Sequence, residues 1–377
     1  MIDKRYDLSG AAHYHTGAFP PPTLDYQRIL GPLEDAAASL ARYDAKMSSL
    51  VNSELLLAPL RRQDAVSSSR MEGTISTVEN IYLLEAEEEA GSSTAYDQAR
   101  NDDIETFLYS RALRNAQTAM AEGAPLSEHL IRTAHQQLLS FGRGAHKRPG
   151  AYKVEQNYVG DDRRKEIYFV PITPEHLPMA MEQLVAFMNG DAMRPLIRTA
   201  LAHVEFEALH PFEDGNGRIG RMLITLMLWK LGIISQPNFF ASGYFETHKS
   251  EYVERMRAVS AEGDWTGWTC FFLTAMHEQA RVNIRTADQI HALYGEMRER
   301  FREVLNSQHH DLALDFVFAN PVFRNDRFVA RSGMPDSSAR VISRRLSEAG
   351  LLRTLVPAAG RRAALFAFDP LLDVLRI

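Results

Sequence analysis

The run from His210 to Arg221, His-Pro-Phe-Glu-Asp-Gly-Asn-Gly-Arg-Ile-Gly-Arg, limits the local fold more strongly than any other part of the chain. An apolar segment of helical character, about residues 196–209, precedes it, and Pro211 favours the end of that helix. Gly215 and Gly217 allow left-handed or crowded backbone, so that successive N–H groups can point into one concavity. The positive dipole end of a second helix lies at the same place. The sequence therefore predicts an anion site made of backbone between two helices.

The side chains of this run add the groups that a nucleotide site needs. Arg218 and Arg221 stand three residues apart and share a helix face, and two guanidinium groups suit a polyphosphate better than a single phosphate. Asp214 is the hard oxygen ligand that Mg²⁺ prefers when phosphate oxygens and water complete its coordination. His210 has a side chain whose pKa suits proton removal from a hydroxyl near neutral pH. The run contains no Gly-Lys-Ser/Thr, so it is not a Walker loop.

Composition narrows the remaining choices. With 377 residues the chain is longer than one hydrophobic core usually fills, so two or three domains are expected. A net charge of -6 argues against a membrane or a polyanion as partner of the whole chain. The one cysteine, Cys270, excludes an internal disulfide and fits a reducing compartment. The charged N-terminus resembles no signal peptide, and the longest apolar stretch, Met222 to Trp229, is too short to span a membrane. We therefore expect a soluble, cytoplasmic protein.

The pattern before the loop predicts helices. One helix is expected from Leu60 to Glu72, with Gly73 supplying the left-handed residue that ends it. Ser76-x-x-Glu79 resembles a capping box and predicts the start of the next helix. That helix is expected to end in a solvated acidic run at residues 85–89.

Two short stretches predict strands. Residues 157–170 form two apolar segments around a charged turn, which predicts a β-hairpin ended by Pro171. A hairpin inside an otherwise helical region is more naturally a flap than a sheet core. His13 and His15 lie before the helices and are expected on an exposed arm rather than at a metal.

The last 60 residues predict helix, turn, helix and a two-stranded wing. The helices are expected at 326–330 and 337–348, and the strands at 351–356 and 363–368. Ten arginines and five acidic residues lie between residues 320 and 377, a net charge of +5. A winged helix with this charge fits DNA phosphates, and it fits protein contacts or dimer packing equally well.

The twelve-residue run matches the signature His-Pro-Phe-x-Asp-Gly-Asn-Gly-Arg-x-x-Arg without a departure, and on this motif the chain resembles the Fic family. The hairpin resembles the flap that positions a target side chain in that family. Residues 20–95 resemble the N-terminal domain of one large Fic class. We therefore expect a mainly α protein: an N-terminal helical domain over 1–95, a helical Fic core with a small β-hairpin flap over 96–300, and a C-terminal winged helix-turn-helix over 301–377.

The resemblance implies a protein adenylyltransferase, which transfers AMP from ATP to a Ser, Thr or Tyr hydroxyl of a target protein. His210 would remove the proton of that hydroxyl, and Asp214 would hold Mg²⁺ between the α- and β-phosphates. The remaining predicted nucleotide-binding residues cradle or bind the phosphates or lie in the same turn: Gly215, Asn216, Gly217, Arg218, Ile219, Gly220 and Arg221. Tyr244 and Tyr252 stand where related proteins line the adenine pocket, and Tyr252 is predicted to bind the nucleotide.

Ser68-x-x-x-Glu72-Gly73 is similar to the inhibitory signature of the family. The resemblance implies that the carboxylate of Glu72 forms a bidentate pair with Arg221 and occupies the γ-phosphate position. ATP bound beside this pair would have its α-phosphorus turned away from the attacking hydroxyl.

Several questions stay open at this stage. The same site is compatible with removal of AMP, with Glu72 orienting a water, and with transfer of UMP or phosphocholine. From another class, the chain is compatible with a DNA-binding regulator whose Fic core senses nucleotide. The target protein and the oligomeric state, a homodimer among the possibilities, are not predicted.

Overall fold

The protein is described by a computed structural model, which covers residues 6–49, 53–89, 99–161, 165–360 and 362–376. In these ranges the chain is mainly helical. The helices are α1 (Tyr26–Ser49), α2 (Ser53–Met71), α3 (Val78–Glu89), α4 (Asn101–Ala121), α5 (Glu128–Leu138), α6 (Leu177–Asn189), α7 (Pro195–Leu209), α8 (Asn216–Lys230), α9 (Ser242–Thr247), α10 (Lys249–Glu262), α11 (Trp265–Leu305), α12 (His310–Ala319), α13 (Asn325–Arg331), α14 (Asp336–Glu348) and α15 (Asp369–Leu375). A short 3-10 helix spans Gly142–His146. The mainly α prediction is confirmed.

Two small sheets interrupt the helices. The first has the order β1 (Ala12–His13), β3 (Glu166–Val170), β2 (Val159–Asp161). Strands β2 and β3 are antiparallel and form the predicted hairpin, while β1 adds parallel to β3. The second sheet has the order β4 (Val322–Arg324), β6 (Leu365–Ala367), β5 (Arg353–Val356), with both pairings antiparallel.

The chain forms two compact units whose segments interleave along the sequence. The first unit comprises Met1–Lys46, Ser67–Gly73 and Leu108–Arg281, and the second comprises Met47–Val66, Thr74–Phe107 and Val282–Ile377. The sequence instead predicted three consecutive domains, and that division stays a prediction. None of the described helices is long and apolar enough to cross a membrane.

The core of the first unit forms around α7, which packs against α6 and α8. Pro195 begins α7, where its missing N–H costs no helical hydrogen bond, and nearly every residue of the helix is buried. The indole N–H of Trp268 on α11 donates to the carbonyl oxygen of Ala200 at 2.7 Å, so α11 is fixed to α7. His203 lies inside this core, and its Nδ1 lies 3.0 Å from the carbonyl oxygen of Gly220 on α8.

The second unit contains the predicted helix–turn–helix and the two predicted strands. Helices α13 and α14 pack against each other, and β5 pairs with β6. Strand β4 was not predicted and pairs with the other edge of β6. The core of this region is aromatic, with ring contacts among Phe316, Phe323, Phe328 and Phe366. The interpretation as a winged helix stays a prediction.

The prediction that the acidic run of α3 is solvated is wrong, because several of its carboxylates are paired. Glu87 contacts Arg324 at 3.8 Å and Arg362 at 3.2 Å, and Glu85 contacts Arg62 at 2.6 Å. Glu87 therefore neutralises part of the positive charge that the sequence assigned to the C-terminal region. Glu89 has a side chain outside the described set, and Arg361 lies outside the described residues.

Two further local predictions are corrected by hydrogen bonding. The capping box is wrong, because the Oγ1 of Thr77 accepts from the N–H of Asn80 at 3.2 Å while Ser76 donates to Asp103 at 2.7 Å. The exposed arm is wrong for His15, whose side chain is 5% exposed and lies 2.8 Å from the buried carboxylate of Glu205. Its segment is ordered because β1 adds to the flap sheet.

Candidate active site

His210 stands at the end of α7 with its backbone in the left-handed region, at φ 46. A residue with a Cβ rarely adopts this conformation, so its presence here indicates that the surroundings hold it. Its Nδ1 lies 3.3 Å from the carbonyl oxygen of Glu207. Burial, with the nearby charge of Lys153, lowers the pKa of His210 to about 4. The imidazole is therefore neutral near pH 7 and can accept a proton.

The loop after His210 ends at Gly215, whose φ of 79 places it in the left-handed region at the N-cap of α8. The side chain of Asn216 closes the loop: its Oδ1 accepts from the N–H of Phe212 and its Nδ2 donates to the carbonyl oxygen of Phe212, both at 2.8 Å. The first turn of a helix leaves its N–H groups without intrahelical partners, which makes the start of α8 an anion site. Asn216 therefore offers its backbone rather than its side chain.

Two predicted members of the phosphate site offer less than expected. The N–H of Ile219 donates to the carbonyl oxygen of Gly215 at 3.1 Å, and the Ile219 side chain is buried, so the residue has no donor for a ligand. Gly220 acts through its lack of a side chain, because a Cβ there would lie 2.2 Å from Oε1 of Glu207. Helical geometry explains both: the fourth and later N–H groups of α8 already belong to its own hydrogen bonds.

Arg218 and Arg221 lie on α8, as predicted, and both are buried. The Nη2 of Arg218 is 3.5 Å from Oδ1 of Asp214. Arg221 donates through Nε to the hydroxyl of Ser68 at 2.9 Å and through Nη2 to the carbonyl oxygen of Ser68 at 2.8 Å. The same Nη2 donates to Oε1 of Glu72 at 2.6 Å.

The predicted bidentate pair is therefore wrong in its geometry, although the two partners do meet. Ser68 takes two of the guanidinium hydrogen bonds, so Glu72 contacts Arg221 through one oxygen. Burial acts to raise the pKa of Glu72, but Arg221, with Arg218 and Lys249, holds it below its usual value. Glu72 is thus a carboxylate near pH 7.

The carboxylate of Glu72 occupies the space that Gly217 leaves open. A Cβ at position 217 would lie 2.3 Å from Oε1 of Glu72. Gly73, at φ 82, ends the helical segment that carries Glu72, and the ammonium of Lys249 donates to the carbonyl oxygen of Met71. The end of α2 is therefore fastened directly over the first turn of α8, within the first unit.

Asp214 has the chemistry of a metal ligand, but it belongs to no cluster of candidate ligands among the described residues. Its Oδ1 accepts from the N–H of Gly215 at 2.6 Å, and its side chain is 45% exposed. Among the described residues no group of three or more His, Cys, Asp or Glu could hold a metal. One carboxylate beside an anion site suits Mg²⁺ whose other ligands come from phosphate and water, and the metal stays a prediction.

The aromatic ring of Tyr252 is buried and presents no open face to a ligand. The residue is 3% exposed, its hydroxyl lies 2.8 Å from Nε2 of His203, and its ring packs among Phe245 and Trp268. The prediction that it contacts adenine is therefore not supported by its position, because the ring is enclosed by the core. Tyr244 is half-buried and stacks on His248 with ring centroids 4.0 Å apart.

An apolar cavity of about 90 Å³ opens beside His210 and was missed from the sequence. Its walls come from the flap, from α7 and from α10, and include Val159, Phe169, Ala208, Val253 and Met256. Val253 directly follows Tyr252 on α10 and lines this cavity, whereas Tyr252 does not; which residue of the segment contacts a nucleotide stays a prediction. The spacing of apolar residues along α10 does not separate these two neighbours, because both side chains are largely apolar.

Glu207 was also missed as part of the site. It lies one helical turn before His210, its Oε1 is buried without a hydrogen bond to any described residue, and burial raises its pKa to about 8. Arg221 opposes this rise and Glu72 adds to it. A carboxyl group that keeps its proton at neutral pH therefore stands between the cavity and the Arg221–Glu72 pair.

A helical domain that presents a His-Pro-Phe loop at the start of a buried helix, under a β-hairpin, has the Fic fold. A Fic family protein from Desulfovibrio desulfuricans aligns with 93% of this chain and 98% of its own, at a TM-score of 0.56 and 19% identity. Fic-1 of Caenorhabditis elegans, residues 134–508, aligns with 69% of this chain and 74% of its own, at a TM-score of 0.52 and 18% identity. At these identities the likeness concerns the fold.

The chain contains a Fic domain, of the Fic/DOC family. The family model matches residues 125–228, and the model of the N-terminal region of the family matches residues 30–118. Protein adenylyltransferase fic-1 of Caenorhabditis briggsae is 35% identical over 86 residues, which is 22% of this chain and 16% of that protein. Protein adenylyltransferase Fic of Culex quinquefasciatus is 30% identical over 114 residues, 28% of this chain and 21% of that protein. The chain thus spans only a small part of these curated relatives.

Proposed function

We propose that this protein is an ATP-dependent protein adenylyltransferase that is autoinhibited by Glu72. The observation that carries the proposal is the contact between Glu72 and Arg221 at 2.6 Å, made over an intact His210-to-Arg221 loop. A guanidinium at an anion site is a phosphate ligand, and here a carboxylate of the same chain takes it. Relatives named protein adenylyltransferases support the type of reaction.

The proposed reaction joins the oxygen of a target Ser, Thr or Tyr hydroxyl to the α-phosphorus of ATP. The bond between that phosphorus and the bridging oxygen breaks, pyrophosphate leaves, and the hydroxyl proton passes to His210. The free N–H groups at the start of α8 and the side chains of Arg218 and Arg221 would bind the phosphates. Asp214 would hold Mg²⁺, which would neutralise phosphate charge when bound.

The cavity beside His210 is proposed to receive the adenine ring. Its lining is mainly apolar, which suits the faces of a flat heteroaromatic ring, and it adjoins His210, the group proposed to take the hydroxyl proton. Val253 and Met256 replace Tyr252 as the residues of α10 that would contact the ring. Adenine binding by Val253→Asp should weaken, whereas Tyr252→Phe should leave it within about three-fold because only a hydroxyl is lost.

Inhibition by Glu72 follows from competition for one guanidinium. Nη2 of Arg221 donates to the carbonyl oxygen of Ser68 and to Oε1 of Glu72, so neither of its hydrogens is left for the γ-phosphate. ATP that binds without it is free to turn its α-phosphorus out of line with the hydroxyl. Removal of the carboxylate is therefore expected to raise the rate more than the affinity for ATP.

Self-modification with labelled ATP tests the proposal. Glu72→Gly should label about 10²-fold faster than the parent, since alignment of the reacting atoms contributes several kcal/mol to the barrier. Arg221→Ala should show no such gain, because it removes the phosphate ligand together with the partner of Glu72. Glu246→Ala is the matched control: its carboxylate pairs with Arg70 at 3.6 Å and does not contact Arg221. Equal labelling of parent and Glu72→Gly would remove the autoinhibition and leave the loop assignment standing.

The alternative activities are outcomes of the same assay. Transfer of UMP or phosphocholine instead of AMP by the Glu72→Gly variant would mean that the donor is not ATP, while the assignment of the site would stand. A parent protein that releases AMP from a modified target, with Glu72→Gly unable to do so, would assign Glu72 to orienting water. Cytoplasmic location stays a prediction.

DNA binding by the C-terminal region stays a prediction, and it now depends on fewer arginines because some are paired with acids. Arg340, Arg344 and Arg345 on α14 are exposed, although Arg344 lies 3.8 Å from Glu348, and Arg353 and Arg362 are paired with acids. Binding to duplex DNA would have to weaken steeply with salt, in proportion to the phosphates contacted. Retention of the full affinity by an Arg340→Ala, Arg344→Ala variant would exclude α14 as the DNA contact.

A further inference from the structure

Lys153, in the segment before the flap, is buried and has no anionic partner among the described residues. It is 3% exposed, and its Nζ donates to Oδ1 of Asn157 at 2.7 Å and to the carbonyl oxygen of Leu209 at 3.1 Å. In the part of the chain that the structure describes, no carboxylate lies within ion-pair distance of it. Burial lowers its pKa to about 7. A buried charge is unfavourable unless its hydrogen bonds do something that a neutral residue cannot.

Both contacts of Lys153 lead to the catalytic loop. Its own N–H donates to the carbonyl oxygen of Pro211 at 2.8 Å. Asn157 then donates through Nδ2 to the carbonyl oxygens of His210 at 3.0 Å and Phe212 at 2.9 Å. Because an ammonium only donates, it fixes the amide oxygen of Asn157 toward Lys153 and the amide nitrogen toward the loop.

Together the two residues satisfy four consecutive carbonyl groups, from residue 209 to residue 212. His210 sits among these with its left-handed φ of 46, a conformation that needs outside support in a residue with a side chain. Pro211 has no N–H of its own, so the loop cannot close on itself there. The support comes from the segment that leads directly into strand β2 of the flap.

We propose that Lys153 and Asn157 form a clip that positions His210 for proton transfer and ties the base to the flap. The inference rests on the proposed function for its reaction, but its geometry is independent of it. The clip acts through His210 and not on the substrate, so both are positioning residues. A flap that moves with a target would carry the base with it.

The charge of Lys153 adds a second effect of the same contact. The charged groups that face His210 are Lys153 from the flap segment, Glu72 from the end of α2 and Asp214 from the loop. Lys153 disfavours a second positive charge on the imidazole, while the two carboxylates favour it. Loss of the ammonium should therefore make His210 easier to protonate, and the acid limb of the rate profile should move to higher pH.

The test uses the full chain in the Glu72→Gly background. Asn157→Ala and Asn157→Asp should lower kcat about 10-fold or more, with KM for ATP within about three-fold, because misplacement of a base by a fraction of an ångström slows transfer without loosening the phosphates. Lys153→Met keeps the length of the side chain and should shift the acid limb upward by about one pH unit, whereas Lys153→Arg keeps the charge and should not. Gln156→Ala is the matched control, because its amide bonds only to the carbonyl oxygens of Asn157 and Pro171.

A readout without turnover separates this inference from the proposed function. The His210 imidazole is titrated by NMR in the parent, in Lys153→Met and in Lys153→Arg. A pKa that rises in Lys153→Met alone supports the clip even if no nucleotide is transferred, which would overturn the proposed function only. An unchanged pKa in Lys153→Met, or kcat values of the Asn157 variants equal to that of Gln156→Ala, overturns the clip. If Asn157→Ala does not fold, Asn157→Asp and Lys153→Met decide.

Discussion

Arginines that contact carboxylates occur in both compact units, but their surroundings differ. In the first unit the side chain of Arg221 is 2% exposed and meets Glu72 beside the start of a helix that can bind an anion. In the second unit the side chain of Arg353 is 44% exposed and lies between Glu79 at 2.9 Å and Asp369 at 2.7 Å. The Arg221–Glu72 pair lies at the candidate anion site, whereas Arg353 links two acidic side chains at the surface of the second unit.

The comparison separates charge from function. The C-terminal region has the greater density of arginines in the sequence, yet its carboxylate partners use up part of that charge within the same unit. The loop region has two arginines, and their value comes from the backbone donors and the base that stand next to them. Spacing relative to a helix start, rather than the number of cations, is what marks the site.

The largest expected effect comes from removing His210, the proposed general base of the loop region. His210→Ala in the Glu72→Gly background should slow AMP transfer about 10³-fold, because no other group near the predicted hydroxyl position takes its proton. Affinity for ATP, measured by calorimetry, should stay within a few-fold. His129→Ala, an exposed histidine on α5, is the control. Transfer near the rate of that control would show that His210 is not the base.

The next effect concerns Asp214, the carboxylate of the loop that is half exposed and lies 3.5 Å from Arg218. Asp214→Ala should lose most of the activity together with its dependence on Mg²⁺, since this is the one carboxylate predicted to hold the metal. Glu213→Ala is a matched control because it removes the adjacent, exposed carboxylate. A Mg²⁺ titration of the rate decides: an Asp214→Ala curve that overlays the Glu213→Ala curve would place the metal on another ligand.

The sequence predicted the parts of this molecule in which local pattern determines structure. The left-handed glycine at 215, the helices on either side of the loop and the β-hairpin follow from residue type and spacing, whereas the approach of Glu72 to Arg221 was implied by the resemblance to the Fic family. Ser68 shows the limit, since a serine hydroxyl and carbonyl took guanidinium hydrogen bonds that the carboxylate alone was expected to fill. Strand β1 could not be predicted, because its partner lies more than 150 residues away along the chain.

The burial of individual side chains was the other property that the sequence pattern did not predict. Tyr252 and Val253 are neighbours on α10, and which of them faces the cavity depends on helices that pack against α10 from elsewhere in the chain. Lys153 would be expected on a surface from its charge alone. It is enclosed because its ammonium and its backbone N–H donate to carbonyl groups at the end of α7 and in the loop that follows.

A smaller effect concerns the pH dependence of stability that the buried carboxyl group of Glu207 gives to the first unit. The pKa of Glu207 is raised from 4.5 to about 8, so between these values the folded protein holds a proton that the unfolded chain releases. Stability should therefore fall as pH rises through this window. Thermal midpoints at pH 5.5 and pH 8 should differ by about 3 °C less in Glu207→Gln than in the parent, since the amide cannot ionise. Glu213→Gln should keep the parent difference, and a Glu207→Gln protein that keeps it too would contradict the assignment.

The smallest effect tests the comparison itself, through two double-mutant cycles under chemical denaturation. The Glu79–Arg353 cycle should give a coupling of about 0.5 kcal/mol that declines between low and high salt, because Arg353 is exposed and also has Asp369 as a partner. The Glu72–Arg221 cycle should give about 2 kcal/mol and vary little with salt, since the guanidinium is enclosed and hydrogen-bonded to Ser68 as well. Added ATP should lower the second coupling, as the γ-phosphate takes the place of the carboxylate, and leave the first unchanged. Two cycles with equal coupling and equal response to salt and ATP would mean that the Glu72 pair is an ordinary surface contact.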